Sequence, residues 1–296
     1  MRVTNAMQME NWLHTLGRTS SRLERAQVTL ASGQSLQRPS DDPTGISRSI
    51  ILQDQIGSLK RSFQSIDDGL AWLKTADTVL GNVTNTLNQA YETALLGANG
   101  TITDEQRLDL VGQVDQMIEQ VVEMANAQYA GNYIFSGEKV KVKPFDLDSA
   151  KTGINPYAGG EGSIFRQVAD ENLISINYSG QEVFVDTKVF DALLHLKETL
   201  AGDDQEGIQQ AAHEVQEAFK QIVEIRGVVG SRISRLEETK DLYHEQKAHL
   251  ENRLGEITEG SLPEMIAALK REETAYQAAL LVGARINSIS LLDYLR

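Results

Sequence analysis

The sequence predicts a mainly α-helical protein, an elongated antiparallel helical bundle or coiled coil formed by its N- and C-terminal halves, with a small β-rich domain inserted between them. Three observations carry this expectation. Apolar residues recur at alternating three- and four-residue spacing over two long runs, Leu52 to Ala94 and Ile208 to Ile257, which is the pattern of helices that pack along a seam. The 296 residues include five prolines and 6% aromatics, so little interrupts helix and little suggests a β-sandwich. Between the runs the texture changes to glycine, proline and short stretches of alternate apolar residues, as in hairpins.

The elements follow in order. A first helix is expected from about residue 5 to 31, with Trp12, Leu16, Thr19, Leu23, Ala26 and Leu30 on one narrow stripe. Gly33 stands where that helix would end, residues 34–42 form a connector, and Asp42 before Pro43 reads as an N-cap followed by proline at the first helical position. The helix it opens carries the seam Leu52, Ile56, Leu59, Phe63, Ile66, Leu70, Leu73, Asp77, Leu80, Thr84, Leu87, Tyr91, Ala94, and Asn99-Gly100 stops it. Thr103 with Gln106 fits a capping box that starts a helix near 104–130. Residues 133–187, with Ile174, Ile176, Tyr178 and then Val183, Phe184, Val185, are expected to be β. The run from Ile208 to Ile257 would form a rod of roughly 75 Å at 1.5 Å per residue. Gly260 ends it, and Ser261 with Glu264 fits a second capping box, opening a last helix near 262–292. The expected organisation is nested: terminal coiled-coil helices in 1–42 and 261–296, a helical rod in 43–131 and 200–260, and the β-rich domain in 132–199.

Composition excludes several functions. Lys plus Arg is 28 against 42 for Asp plus Glu, a net charge of −14, which opposes binding to nucleic acid. The deficit lies in the middle of the chain, since residues 1–50 are slightly basic and 261–296 are neutral. No cysteine is present, so disulfides, thiolate metal sites and thiol nucleophiles are out. The longest apolar run, Ala278 to Ala284, falls far short of the roughly 20 residues of a membrane span, and no membrane partner is expected. Residues 1–5 do not lead into an apolar core with a cleavage site, so no cleaved secretory signal is expected.

Catalytic chemistry finds no foothold either. His244-Glu245 with His249 resembles a zinc-protease helix, but the histidines are five apart, about 140° around the helix, where the motif needs four. Asp41 and Asp42 are adjacent and point in different directions, and Asp42 already has a capping role. Gly159-Gly160-Glu161-Gly162 lacks the Lys-Ser/Thr of a phosphate loop. No catalytic residue, cofactor or metal is expected, and the chain is read as a non-enzyme. The two long seams are expected to pack on each other. The terminal helices have little partner surface except one another, so their apolar residues become candidates for contact between subunits: Trp12, Leu16, Leu23 and Leu30 at one end, Leu269, Tyr276, Leu280, Ile286, Leu291, Leu292 and Leu295 at the other.

Several stretches resemble the flagellin superfamily, and within it the branch at the hook-filament junction. Leu30-Ala31-Ser32-Gly33 followed by Arg38-Pro39-Ser40-Asp41-Asp42-Pro43-Thr44-Gly45 is similar to the signature in which a helix ends at Ser-Gly and resumes after Asp-Asp. Pro39 and Pro43 stand where flagellins usually carry small residues, and favour the junction branch. Gly97 to Thr101, Gly131-Asn132-Tyr133-Ile134-Phe135-Ser136-Gly137, Glu273 to Ala278 and the ending Ser290 to Leu295 are similar to that branch as well. The resemblance implies a secreted, extracellular structural component of the bacterial flagellum, exported unfolded without a cleaved signal by the flagellar type III route after a cytoplasmic chaperone has held its C-terminal region. It implies terminal helices that form an inner coiled-coil tube and a homo-oligomeric ring, with the first hook-associated protein below and flagellin above. A short flagellin and, from a different class, a cytoplasmic coiled-coil binding module are the alternatives.

Overall fold

A computed structural model describes residues 5–99, 103–148, 153–169, 172–202 and 204–294, with backbone alone for 5–6, 167–173 and 286–294. Six helices, α1 (Asn5–Ser32), α2 (Pro43–Gly97), α3 (Asp104–Ala125), α4 (Val189–Ala201), α5 (Gln205–Thr258) and α6 (Leu262–Tyr294), account for most of them. Four short strands form two antiparallel hairpins: β1 (Gln128–Tyr129) with β2 (Asn132–Tyr133), and β3 (Phe165–Ala169) with β4 (Asn172–Ser175). The chain divides into two compact units, Met1–Ser58 with Gln246–Arg296, and Leu59–Glu245.

In the second unit α2 and α5 run antiparallel. Phe63 meets Tyr243, Asp67 meets Lys240, Lys74 meets Glu237 and Asp77 meets Arg226, each step up α2 matching a step down α5. From Leu59 onward each α2 seam position is buried or half-buried, including Asp77 and Thr84. Thr84 is satisfied by donating to the Gly81 carbonyl, and Asp77 by the Arg226 guanidinium at 2.8 Å. These two polar residues in an apolar register are therefore compatible with burial because each has a partner. Lys197 of α4 and Asp115 of α3 add a 2.7 Å pair between neighbouring helices. Such exposed pairs fix register more than stability.

The capping box at Thr103 is present in both directions: its hydroxyl accepts from the Gln106 N–H, and the Gln106 side chain accepts from the Thr103 N–H. Thr103→Ala should cost about 1 kcal/mol, seen as a lower urea midpoint at unchanged slope.

Two expectations from the sequence are corrected. Helix α3 stops at Ala125 and not near 130, because Asn126 caps it, with its side-chain amide bonded to the Val122 carbonyl and to both backbone groups of Phe145. The chain then makes a two-residue hairpin turn at Ala130 and Gly131, φ +49° and +74°, the left-handed pair that such turns require. Val183 to Val185 is not a strand but part of a π-helical turn, Gln181–Val185. Val183 and Phe184 are both fully buried, and consecutive side chains reach one core only on a helical turn, since strand neighbours point to opposite faces.

The segment 132–199, expected to be a β-rich inserted domain, holds the short strands Asn132–Tyr133, Phe165–Ala169 and Asn172–Ser175, and its residues 189–199 lie in α4. Phe135, Phe145, Phe184 and Phe190 pack with ring centroids 5.2–5.6 Å apart. They belong to one continuous core with Leu73, Leu80 and Leu87 of α2, Val114 and Ile118 of α3, and Ile208 and Val215 of α5. Ile176 lies against Gly69 of α2, where a Cβ would come within 3.2 Å of it. The segment contributes to the helical core. The boundaries between the two compact units, Ser58/Leu59 and Glu245/Gln246, fall inside α2 and α5.

Candidate subunit interface

In the first unit α1 packs along α6. Trp12, Leu16, Thr19, Leu23, Ala26 and Leu30 are half-buried, so the stripe read from the sequence is the stripe α1 presents to its partner. On α6 the corresponding positions are Met265, Leu269, Glu272, Tyr276, Ala279 and Gly283, all buried or half-buried at alternating spacing of four and three. Leu269 and Tyr276 lie on this seam within the single chain. Leu280 lies off it and is 43% exposed, because one residue of offset turns it about 100° off the seam. Ala279 and Gly283 take its place. The Trp12 indole N–H donates to the Ala279 carbonyl at 2.7 Å, and a Cβ on Gly283 would lie 2.2 Å from the indole ring. A large ring needs a bare backbone opposite, a signal the sequence carried in Gly283 and that a search for apolar residues overlooks. Ile286, Leu291 and Leu292 lie on α6 where only backbone is described, and Leu295 lies outside the described residues.

The joint between the terminal helices and the rest of the first unit is built by the signature residues. Gly33 has φ +70° and its N–H caps the Thr29 carbonyl, the left-handed helix stop only glycine adopts freely. Beyond it the Ser35 N–H donates to the Thr258 carbonyl at 2.8 Å and the Gly260 N–H to the Gly33 carbonyl at 3.2 Å. These bonds tie the α1–α2 connector to the α5–α6 turn, with Gln34 and Glu259 forming an isolated antiparallel bridge. Asp41 accepts from the Arg38 N–H at 3.0 Å, closing a turn on which Arg38 and Pro39 are exposed. Asp42 caps α2: its carboxylate accepts from the Thr44 hydroxyl at 2.7 Å and the Thr44 N–H at 3.0 Å, and Pro43 begins the helix. At Gly45 a Cβ would sit 2.5 Å from that carboxylate, so the glycine keeps the cap seated.

The Thr44 hydroxyl first, then the Gly45 N–H, hold the Asp42 carboxyl below its ordinary value of 3.8. A depressed carboxylate stabilises its fold above the unfolded value and loses that contribution as pH falls through the folded one. Amide exchange at Thr44 and Gly45 is therefore expected to quicken below about pH 3.8 before the core opens, and Asp42→Asn should weaken that pH dependence.

Along α1 and α6 several large apolar side chains stay uncovered in the single chain. Met7, Leu13 and Val28 on α1 and Leu262, Ile266, Leu281 and Val282 on α6 are 48–69% exposed. Elsewhere chemistry stays sparse. Among the described residues no group of three His, Asp or Glu could hold a metal ion, and no helix is long and apolar enough to cross a membrane. His244 stacks 4.4 Å from Phe63. Gly160 and Gly162 make room for the Glu138 carboxylate, which accepts from the Gly162 N–H.

Comparison with known proteins agrees with this architecture. The family model of the bacterial flagellin N-terminal helical region matches residues 3–140, and that of the C-terminal helical region matches residues 212–295. Flagellar hook-associated protein 3 of Escherichia coli K12 is 23% identical over 89% of this chain and 90% of its own length. The protein of the same name from Salmonella typhimurium LT2 is 28% identical over 62% of this chain and 57% of its own. The crystal structure of Bacillus cereus FlgL, 22% identical, shares the fold with a TM-score of 0.61 over 69% of this chain and 99% of that one.

Proposed function

The chain belongs to the flagellin family, and from that premise we propose that it is a structural adaptor of the bacterial flagellum, placed where the hook meets the filament and forming the surface on which flagellin polymerises. The observation that carries this reading is the exposed apolar surface of α1 and α6 around a completed intramolecular seam. A soluble monomer gains nothing from it, whereas packing against neighbouring subunits buries it. The relative aligned over nine-tenths of its own length is hook-associated by name, which favours the junction over the filament. In this reading copies of the chain form a ring through α1 and α6, the first hook-associated protein lies below and flagellin above. The chain reaches that place by export, held beforehand by a cytoplasmic chaperone. Its work is packing and not catalysis.

Labelling the chain on isolated flagella tests this. One spot at the base of each filament is expected. Label along the whole filament would make it a short flagellin, and its absence from flagella would leave a cytoplasmic binding module. Assembly should also change protection. In the free chain protease is expected to cut α1 and α6 before residues 59–94, and in purified flagella both ends should resist. Equal resistance in both forms would remove the terminal helices from the interface.

A further inference from the structure

We propose that the outward face of α1 is a cationic docking strip for the acidic outward face of α5 in a second copy of this chain, an inference that rests on the homo-oligomeric reading above and assigns its electrostatic register. Helix α1 has two faces. The apolar stripe meets α6, and two to three residues on from its positions, about 60–160° round the helix from them, His14, Arg18, Arg22 and Arg25 line a groove of about 530 Å³ together with exposed Leu13. The three arginines are exposed and form no ion pair within the described chain. Three unpaired cations within eight residues are notable in a protein of net charge −14.

Complementary charge exists in the same chain. On α5, Glu238, Asp241 and Glu245 each follow a seam residue, Leu236, Thr239 and Tyr243, by two positions, and so face away from α2. All three are exposed and form no ion pair among the described residues, in contrast to their neighbours Glu237 and Lys240, which are tied to Lys74 and Asp67. The spacing fits as well as the sign. The arginines step four and then three residues along α1; read in reverse, the acids step four and then three along α5. Two antiparallel helices therefore bring Arg18 to Glu245, Arg22 to Asp241 and Arg25 to Glu238, each pair on facing surfaces. Exposed pairs of this kind select partner and register more than they add affinity, which suits an assembly whose apolar contacts alone would tolerate sliding.

The absence of native cysteine makes the test clean. Flagella from cells carrying Arg22→Cys and Asp241→Cys together are treated with a short bis-maleimide. Dimers and higher ladders of the chain are expected, weaker ones from the mismatched Arg18→Cys with Glu238→Cys, and none from either substitution alone. Reversing all three arginines to Glu should lower incorporation into flagella about tenfold, and reversing the three acids to Arg in the same chain should restore it, with the thermal midpoint of the purified chain unchanged in each. A chain present in flagella that gives no ladder, or that links through Arg22→Cys to a different protein, overturns the pairing while leaving the adaptor role standing. A chain absent from flagella altogether defeats the adaptor role instead.

Discussion

Phe184→Ala should destabilise the chain by about 3–5 kcal/mol and should do so without splitting the unfolding of the second unit into two steps. Phe184 is fully buried, edge-on to Phe135 and Phe145 and stacked on Phe190 at 5.6 Å. Its removal leaves a cavity between α4 and the irregular chain of 134–148 and 153–157, bounded by side chains that are themselves held by the long helices. Close-packed surroundings relax only partly, so the loss exceeds the transfer energy of the ring. The expected readout is a large fall in urea midpoint, recorded identically by helical ellipticity and by near-ultraviolet signal. If ellipticity survived while the aromatic signal was lost, residues 132–199 would be an independent domain after all, and could be deleted with little harm. The shared core argues the opposite: deleting 133–187 should strip the apolar faces of α2 and α3 and collapse helical cooperativity.

Gly283→Val should abolish incorporation into flagella while leaving the second unit's thermal midpoint almost unchanged. The Cβ alone would stand 2.2 Å from the Trp12 ring, inside van der Waals contact, so the indole must leave the seam and give up its bond to the Ala279 carbonyl. Overpacking of this kind costs about 1–3 kcal/mol, a large fraction of what a narrow two-helix seam supplies. The cost recurs in every subunit. Trp12→Ala in the same chain removes the collision, and the double variant should recover part of the lost incorporation. Leu23→Asp, on the same stripe, should act in the same direction, since it places a carboxylate against α6. Normal filaments from Gly283→Val cells would show that the α1–α6 contact of the single chain is not the one used in the assembly.

How much of this could be read without coordinates differs element by element. The seam from Leu59 to Ala94 and that from Ile208 to Tyr243 were legible because each lies on one helix whose burial repeats every 3.5 residues, so the pattern is written in consecutive spacing. Thr103, Asp42 and Gly33 were legible because caps depend on neighbours within four residues. Helix α4 is equally legible in principle, since Val189, Phe190, Leu193, Leu196 and Leu200 keep helical spacing, but the glycine-rich texture just before them masks it.

By itself, then, the sequence determined the helices, their caps, the faces they bury and the flagellin signature, all of them properties of short range along the chain. Only the tertiary structure decided that Leu280 points outward while Gly283 receives Trp12, that Val183 and Phe184 turn inward on one π-helical turn, and that the irregular middle completes the helical core. Those outcomes depend on which surface arrives opposite. A half-turn of helix or a hairpin is marginal alone and takes the conformation in which its side chains fill space already shaped by distant residues.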